Sequence, residues 1–191
     1  WDIKGKHLGH NPEGLLLIKR GALNRVLRHQ AIEHGVAVEF AKRLADFSDD
    51  GRRVTVHFAD GSDATGDVLV GCDGIHSATR GALLPAGPVP AYTGLVGTGG
   101  FARLPNGPPP GAVMEMTFGL RAFFGYQVTP SGEIFWFQNT PEATEPKAAD
   151  RRNDQRWKAR LVELTRDDHE PIPTMLPATD GGIGRFPISH L

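Results

Sequence analysis

The stretch DVLVGCDGIHSATR, Asp67 to Arg80, gathers the residue types best suited to hold a ligand. Asp73 follows the apolar run Val68 to Val70 and stands between Gly71 and Gly74. A carboxylate there can accept two hydroxyl hydrogen bonds, which is how an acid grips a ribose or ribityl chain. The glycines let backbone and ligand approach with no Cβ between them. Ser77 is placed to cap a following helix, and Arg80, one turn further, carries a guanidinium that pairs with phosphate or folds back on an acid. The same spacing also suits an Asx turn ahead of an ordinary capped helix, because Asp-Gly is a common turn pair.

A second set of candidates is aromatic. FFGYQV and EIFWFQNT flank the turn residues Thr129 to Gly132 and read as a hairpin. With Val128 opposite Glu133, Tyr126 faces Phe135 and Phe124 faces Phe137, all on one side of the sheet. Phe124, Tyr126, Phe135 and Phe137 then either lie over a flat substrate, with Tyr126 offering a hydroxyl, or form the core of this part of the chain. Phe123, Gln127 and Trp136 fall on the other face. No catalytic residue is singled out, since no G-x-S-x-G string occurs. The pairs His7/His10 and Cys72/His76 lack a third and fourth ligand in pattern, so no metal site is expected. Cys72 gains no thiolate stabilisation from a neighbouring acid.

The elements that must position these residues follow from periodicity. LLLIK, Leu15 to Lys19, reads as a short buried strand. Leu23, Val26, Leu27 and Ala31 recur at helical spacing and predict a helix from about Ala22 to His34. Gly35 stands where a left-handed cap is wanted, and VAVEF follows as a β-branched strand, together half of a βαβ unit. Asp50-Gly51 and Asp60-Gly61 are hairpin signals within a three-stranded meander whose last member is DVLVG. Its successive apolar residues suggest a strand covered on both faces in a parallel sheet. Beyond Pro85, the segments AYTGLVGTGGFARL, GAVMEMTFG, RAFFGYQV and EIFWFQNT predict an antiparallel sheet in a second lobe. A charged helix is expected from Asp150 to Asp167 with Trp157, Leu161 and Leu164 on one side, and no closing element is visible after it.

Composition narrows the partners. With 191 residues, 39% of them hydrophobic, the chain is long enough for one large domain or two small ones. A net charge of -1 with scattered Lys and Arg offers no basic field, so neither nucleic acid nor an anionic membrane is the expected partner. No apolar run reaches the ~18 residues of a membrane span, and no signal peptide is recognised. The single cysteine, Cys72, excludes an internal disulfide and suits a reducing cytoplasm. The chain opens at Trp1 with no initiator, so it is expected to be part of something longer.

DVLVGCDGIHSATR resembles the internal Asp-Gly fingerprint, G-x-D-G-x-x-S-x-x-R after an apolar strand, of the FAD-dependent aromatic hydroxylases related to p-hydroxybenzoate hydroxylase. IKRGALNRVLRHQAIEHGV is similar to that family's polar residue and L-x-x-x-L helix ending in Gly-Val, and FFGYQVTPSGEIFWF to its substrate-lobe hairpin. The resemblance implies an α/β (α+β) fold: a partial Rossmann-like FAD-binding domain with a β-meander over residues 1–84, and an antiparallel-sheet substrate lobe over 85–191. It implies FAD contacts for Asp73 and Gly74, a place along the ribityl chain for Arg20, and nicotinamide-cofactor phosphates for Arg80. A solvated charge is the other reading of Arg20, at a helix end unfavourable to a cation. The activity implied is NAD(P)H- and O2-dependent hydroxylation of an aromatic or polyketide-like small molecule. The alternatives are a non-catalytic binding module of the same fold, or a related epoxidase or halogenase. The family's G-x-G-x-x-G segment and its later Gly-Asp segment do not occur in this sequence, so the chain by itself is expected to be inactive and not to retain FAD.

Overall fold

The computed structural model of the protein describes residues 17–147 and 155–191. His7, His10, the start of the expected strand at Leu15 and the start of the expected helix at Asp150 lie outside the described residues. The described chain divides into two compact units, one within Ile18–Ala91 and one within Tyr92–Ile188.

In the first unit, the helical spacing around Leu23 produces α1, Arg20–Glu33. Its end is the expected glycine cap: Gly35 has φ 80°, and the Val36 N–H donates to the Ala31 carbonyl at 3.0 Å. Strands β1 (Leu44–Asp49), β2 (Val54–Phe58) and β3 (Asp63–Gly66) then form an antiparallel meander in that order. Its two turns place Gly51 and Gly61 at φ 81° and 83°, where the Asp-Gly pairs predicted them.

Three strand expectations are corrected. Leu17 to Lys19 and Val36 to Phe40 are not strands, and the meander's third member is DATG, not DVLVG. The register explains the last: β3 ends with Gly66 opposite Val54, the first residue of β2, so the chain beyond has no ladder to join. Among the described residues no strand lies beside 36–40 or 67–71, and neither face is covered. Val68 and Val70 are 77% and 73% exposed. A parallel strand exists only where neighbours satisfy its backbone and layers cover both faces, so an apolar run is not sufficient.

The second unit is a five-stranded sheet of β4 (Ala91–Ala102), β5 (Glu115–Phe118), β6 (Phe123–Val128), β7 (Ile134–Pro141) and β8 (Thr179–His190), in the order β5-β6-β7-β4-β8. The strand β8 corrects the expectation of an unclosed end: its Gly- and Pro-broken sequence hides a twelve-residue strand that only pairing with β4 defines. Helices α3 (Gln155–Thr165) and α4 (Ile172–Met175) cover one face. Val96, Phe124, Tyr126, Ile134 and Trp136 meet Trp157, Leu161, Ile172 and Met175 there to form the core. The two buried indoles are satisfied: Trp136 Nε1 donates to Thr179 Oγ1 at 2.8 Å and Trp157 Nε1 to Thr98 Oγ1 at 3.2 Å. No helix among the described residues is long and apolar enough to cross a membrane.

Candidate functional site

Asp73 is exposed and organises its own loop. Its Oδ1 accepts from Ser77 Oγ at 2.5 Å, and its Oδ2 accepts from the Thr79 N–H at 3.0 Å and Thr79 Oγ1 at 3.2 Å. The hydrogen bond from Ser77, then that from the Thr79 backbone, holds the carboxyl well below the usual carboxylate range. Ser77 in turn caps α2, Ala78–Leu83, by accepting from the Arg80 N–H at 2.9 Å, as its position predicted. The glycines serve this closure. Gly74 sits at φ 84°, and a Cβ on Gly71 would stand 2.8 Å from the Thr79 side chain. The hydrogen bonds of the turn-and-cap alternative are therefore present.

A carboxylate has about four lone-pair sites, and three donors occupy three of them, so exposed Asp73 keeps room for one further hydroxyl. This donor set fits a hydroxyl-bearing chain such as that of FAD. Arg80 donates through Nη2 to the Ile75 carbonyl and lines a cleft of about 250 Å³ with His76, Ser77, Leu84, Pro88 and Val89. The rest of its guanidinium remains available in a fork that suits phosphate. Arg20 is the exposed first residue of α1.

The aromatic quartet is divided by the sheet, which corrects the predicted register. Val128 pairs with Ile134, Tyr126 with Trp136, Gly125 with Phe137 and Gln127 with Phe135. The reason lies in the turn. Thr129 pairs with Glu133, N–H to carbonyl at 2.9 Å, around the three-residue loop Pro130-Ser131-Gly132, with Gly132 at φ 76°. The signal was in the sequence: Pro-Ser-Gly suits a three-residue loop, whereas pairing Val128 with Glu133 assumes four.

Phe124 and Tyr126 therefore join Trp136 on the core face. Phe124 stacks on Trp136 with centroids 5.7 Å apart. The Tyr126 hydroxyl does not face Phe135, and burial pushes its pKa up to about 12. Phe135 and Phe137 lie on the opposite face with Phe123. There the rings form one row: Phe118–Phe123 at 5.0 Å, Phe123–Phe137 at 5.7 Å, Phe137–Phe135 at 6.3 Å and Phe135–Phe101 at 5.6 Å. Phe101 and Phe118 were not candidates from sequence, because they come from β4 and β5, and only the strand order brings them into line.

The described chain thus combines a helix-and-meander unit that carries an Asp-Gly loop suited to a hydroxyl-bearing cofactor with an antiparallel sheet that has one aromatic face. The chain belongs to the FAD binding domain family, which matches residues 4–175. It is 32% identical over 165 residues to the aurachin C monooxygenase/isomerase of Stigmatella aurantiaca, covering 86% of this chain and 41% of that protein. It is also 32% identical over 105 residues to an FAD-dependent urate hydroxylase of Klebsiella pneumoniae, covering 55% of this chain and 27% of the relative. The crystal structure of Klebsiella pneumoniae HpxO complexed with FAD and uric acid superposes with a TM-score of 0.74 at 27% identity, covering 90% of this chain and 43% of that one. The chain spans less than half the length of these relatives. The resemblance to FAD-dependent aromatic hydroxylases and the mixed fold it implied are borne out.

Proposed function

We propose that the chain is part of an FAD-dependent monooxygenase that uses NAD(P)H and O2 to hydroxylate an aromatic or polyketide-like small molecule in the cytoplasm. The observation that carries this reading is the family match over residues 4–175, which runs through both units and includes the Asp73 loop. In this reading residues 1–84 belong to the cofactor part and 85–191 to the substrate lobe.

Asp73 accepts a ribityl hydroxyl at its remaining lone pair, and the turn at Gly74 lets the cofactor pass close to the backbone. Arg20 lies along the ribityl chain, and Arg80 directs its guanidinium to phosphate of the nicotinamide cofactor. When bound, FAD supplies the redox chemistry that activates O2. The protein's tasks are to orient a ring and exclude water. Phe135 and Phe137 form the wall against the substrate, and Phe124 and Tyr126 support that wall from the core side.

The test uses the whole protein that carries this chain. It is expected to bind FAD stoichiometrically and to consume NADH or NADPH together with O2, faster when an aromatic substrate is present. A purified protein that takes up no FAD, or consumes no reduced nicotinamide in air, sinks the reading.

A further inference from the structure

We infer that the open face of the five-stranded sheet selects a neutral, largely apolar substrate of two or more fused rings, lying flat across β5, β6, β7 and β4, over a small ionised aromatic acid. This rests on the proposed monooxygenase reading and specifies its substrate class.

Length is the first reason. The row Phe118, Phe123, Phe137, Phe135 and Phe101 crosses four neighbouring strands, three inter-strand spacings or about 14 Å. A single benzene ring covers only part of that floor, and each added ring gains further apolar contact.

Relief is the second. Three positions of this face are glycines: Gly97 and Gly99 on β4 and Gly125 on β6, opposite Asn139, Phe137 and Phe137 respectively. The Phe137 ring lies over Gly125, so closely that a Cβ there would stand 2.5 Å from its ring carbons. A ring laid over a glycine is held along the sheet and leaves a low surface, which suits a flat ligand.

Charge is the third. At the paired positions of β4 to β7 on this face, the polar side chains are the amides of Gln127 and Asn139, and none is ionisable. The arginines at the strand ends are engaged elsewhere. Arg103 donates to the Ser131 carbonyl, and Arg121 to the Leu164 carbonyl and Asp167. A carboxylate placed against this floor loses its water and meets no cation at the paired positions of β4 to β7 in return.

The experiment titrates the whole flavoprotein with salicylate, uric acid, 2-naphthol and 2-hydroxyanthraquinone and follows the flavin absorbance change, which reports binding without turnover. The neutral multi-ring compounds are expected to bind at least ten-fold more tightly than salicylate. Phe123→Arg is expected to improve salicylate binding ten-fold or more and to weaken the anthraquinone. Because Phe123 is partly buried, the exposed edge residue Phe118 gives a second variant. Phe118→Ala is expected to weaken the three-ring compound at least three-fold and leave 2-naphthol unchanged. Salicylate binding as tightly as the anthraquinone to the unmodified protein, or both variants weakening all four ligands equally, overturns the substrate class while leaving the flavoprotein reading intact. A protein without flavin overturns both.

Discussion

Asp73 shows how far one residue's chemistry can be read from its neighbours. Its type and setting announced an acid presented to a ligand, yet three of its hydrogen-bond acceptances come from Ser77 and Thr79 within the same loop. These bonds lower its pKa below the ordinary 3.8 in the folded state. A depressed folded pKa means stability that is complete above the unfolded value and is lost as the pH falls through the folded one. Asp73→Asn is therefore expected to speed amide exchange at Thr79 and Arg80 at neutral pH. The gap from the unmodified protein should narrow once the pH drops below about 4. A gap that widens on acidification contradicts the assignment.

At the scale of elements, the decisive feature is the hairpin of β6 and β7. A one-residue difference in pairing sends Phe135 and Phe137 to the open face and brings Trp136 into the core, because side chains alternate with a period of two. The sequence marked both strands and their turn, but the loop length had to be counted correctly for the faces to follow. Gly125 tests the arrangement. The Phe137 ring over it is flanked by Phe123 and Phe135, so it has little room to give way. Gly125→Ala is expected to cost about 1–3 kcal/mol in urea denaturation, as overpacking does. A neutral result means that the ring does not rest on this glycine.

The two units differ in what they bury. No described residue between 17 and 91 is fully buried, whereas the sheet unit has a continuous core from Val96 to Ile183. In the first unit, Leu23, Val26 and Leu27 of α1, the segment Val36 to Phe40, and Val68 and Val70 all show apolar surface. Amide exchange should reflect this division. The slowest amides are expected in β4, β6 and β7, and exchange near the unprotected rate is expected at 37–40 and 67–71, which belong to no ladder, whereas the Val36 amide is held by the Ala31 carbonyl. Strong protection of 67–71 in this chain by itself would count against the absence of a paired strand there.

The sequence by itself determined the features that depend on a few adjacent residues: the glycine cap at Gly35, the Asp-Gly turns of the meander, the Ser77 cap, and the fingerprint around Asp73 that identifies the family. Such features rest on φ preferences and side-chain bonds reaching three or four residues, so local chemistry suffices. Tertiary structure alone decided that VAVEF and DVLVG join no strand ladder among the described residues, that Thr179–His190 becomes β8, and that Phe101 and Phe118 extend the aromatic row. Each of these depends on which strand lies alongside, and a strand is stable only through backbone partners that are distant in the chain.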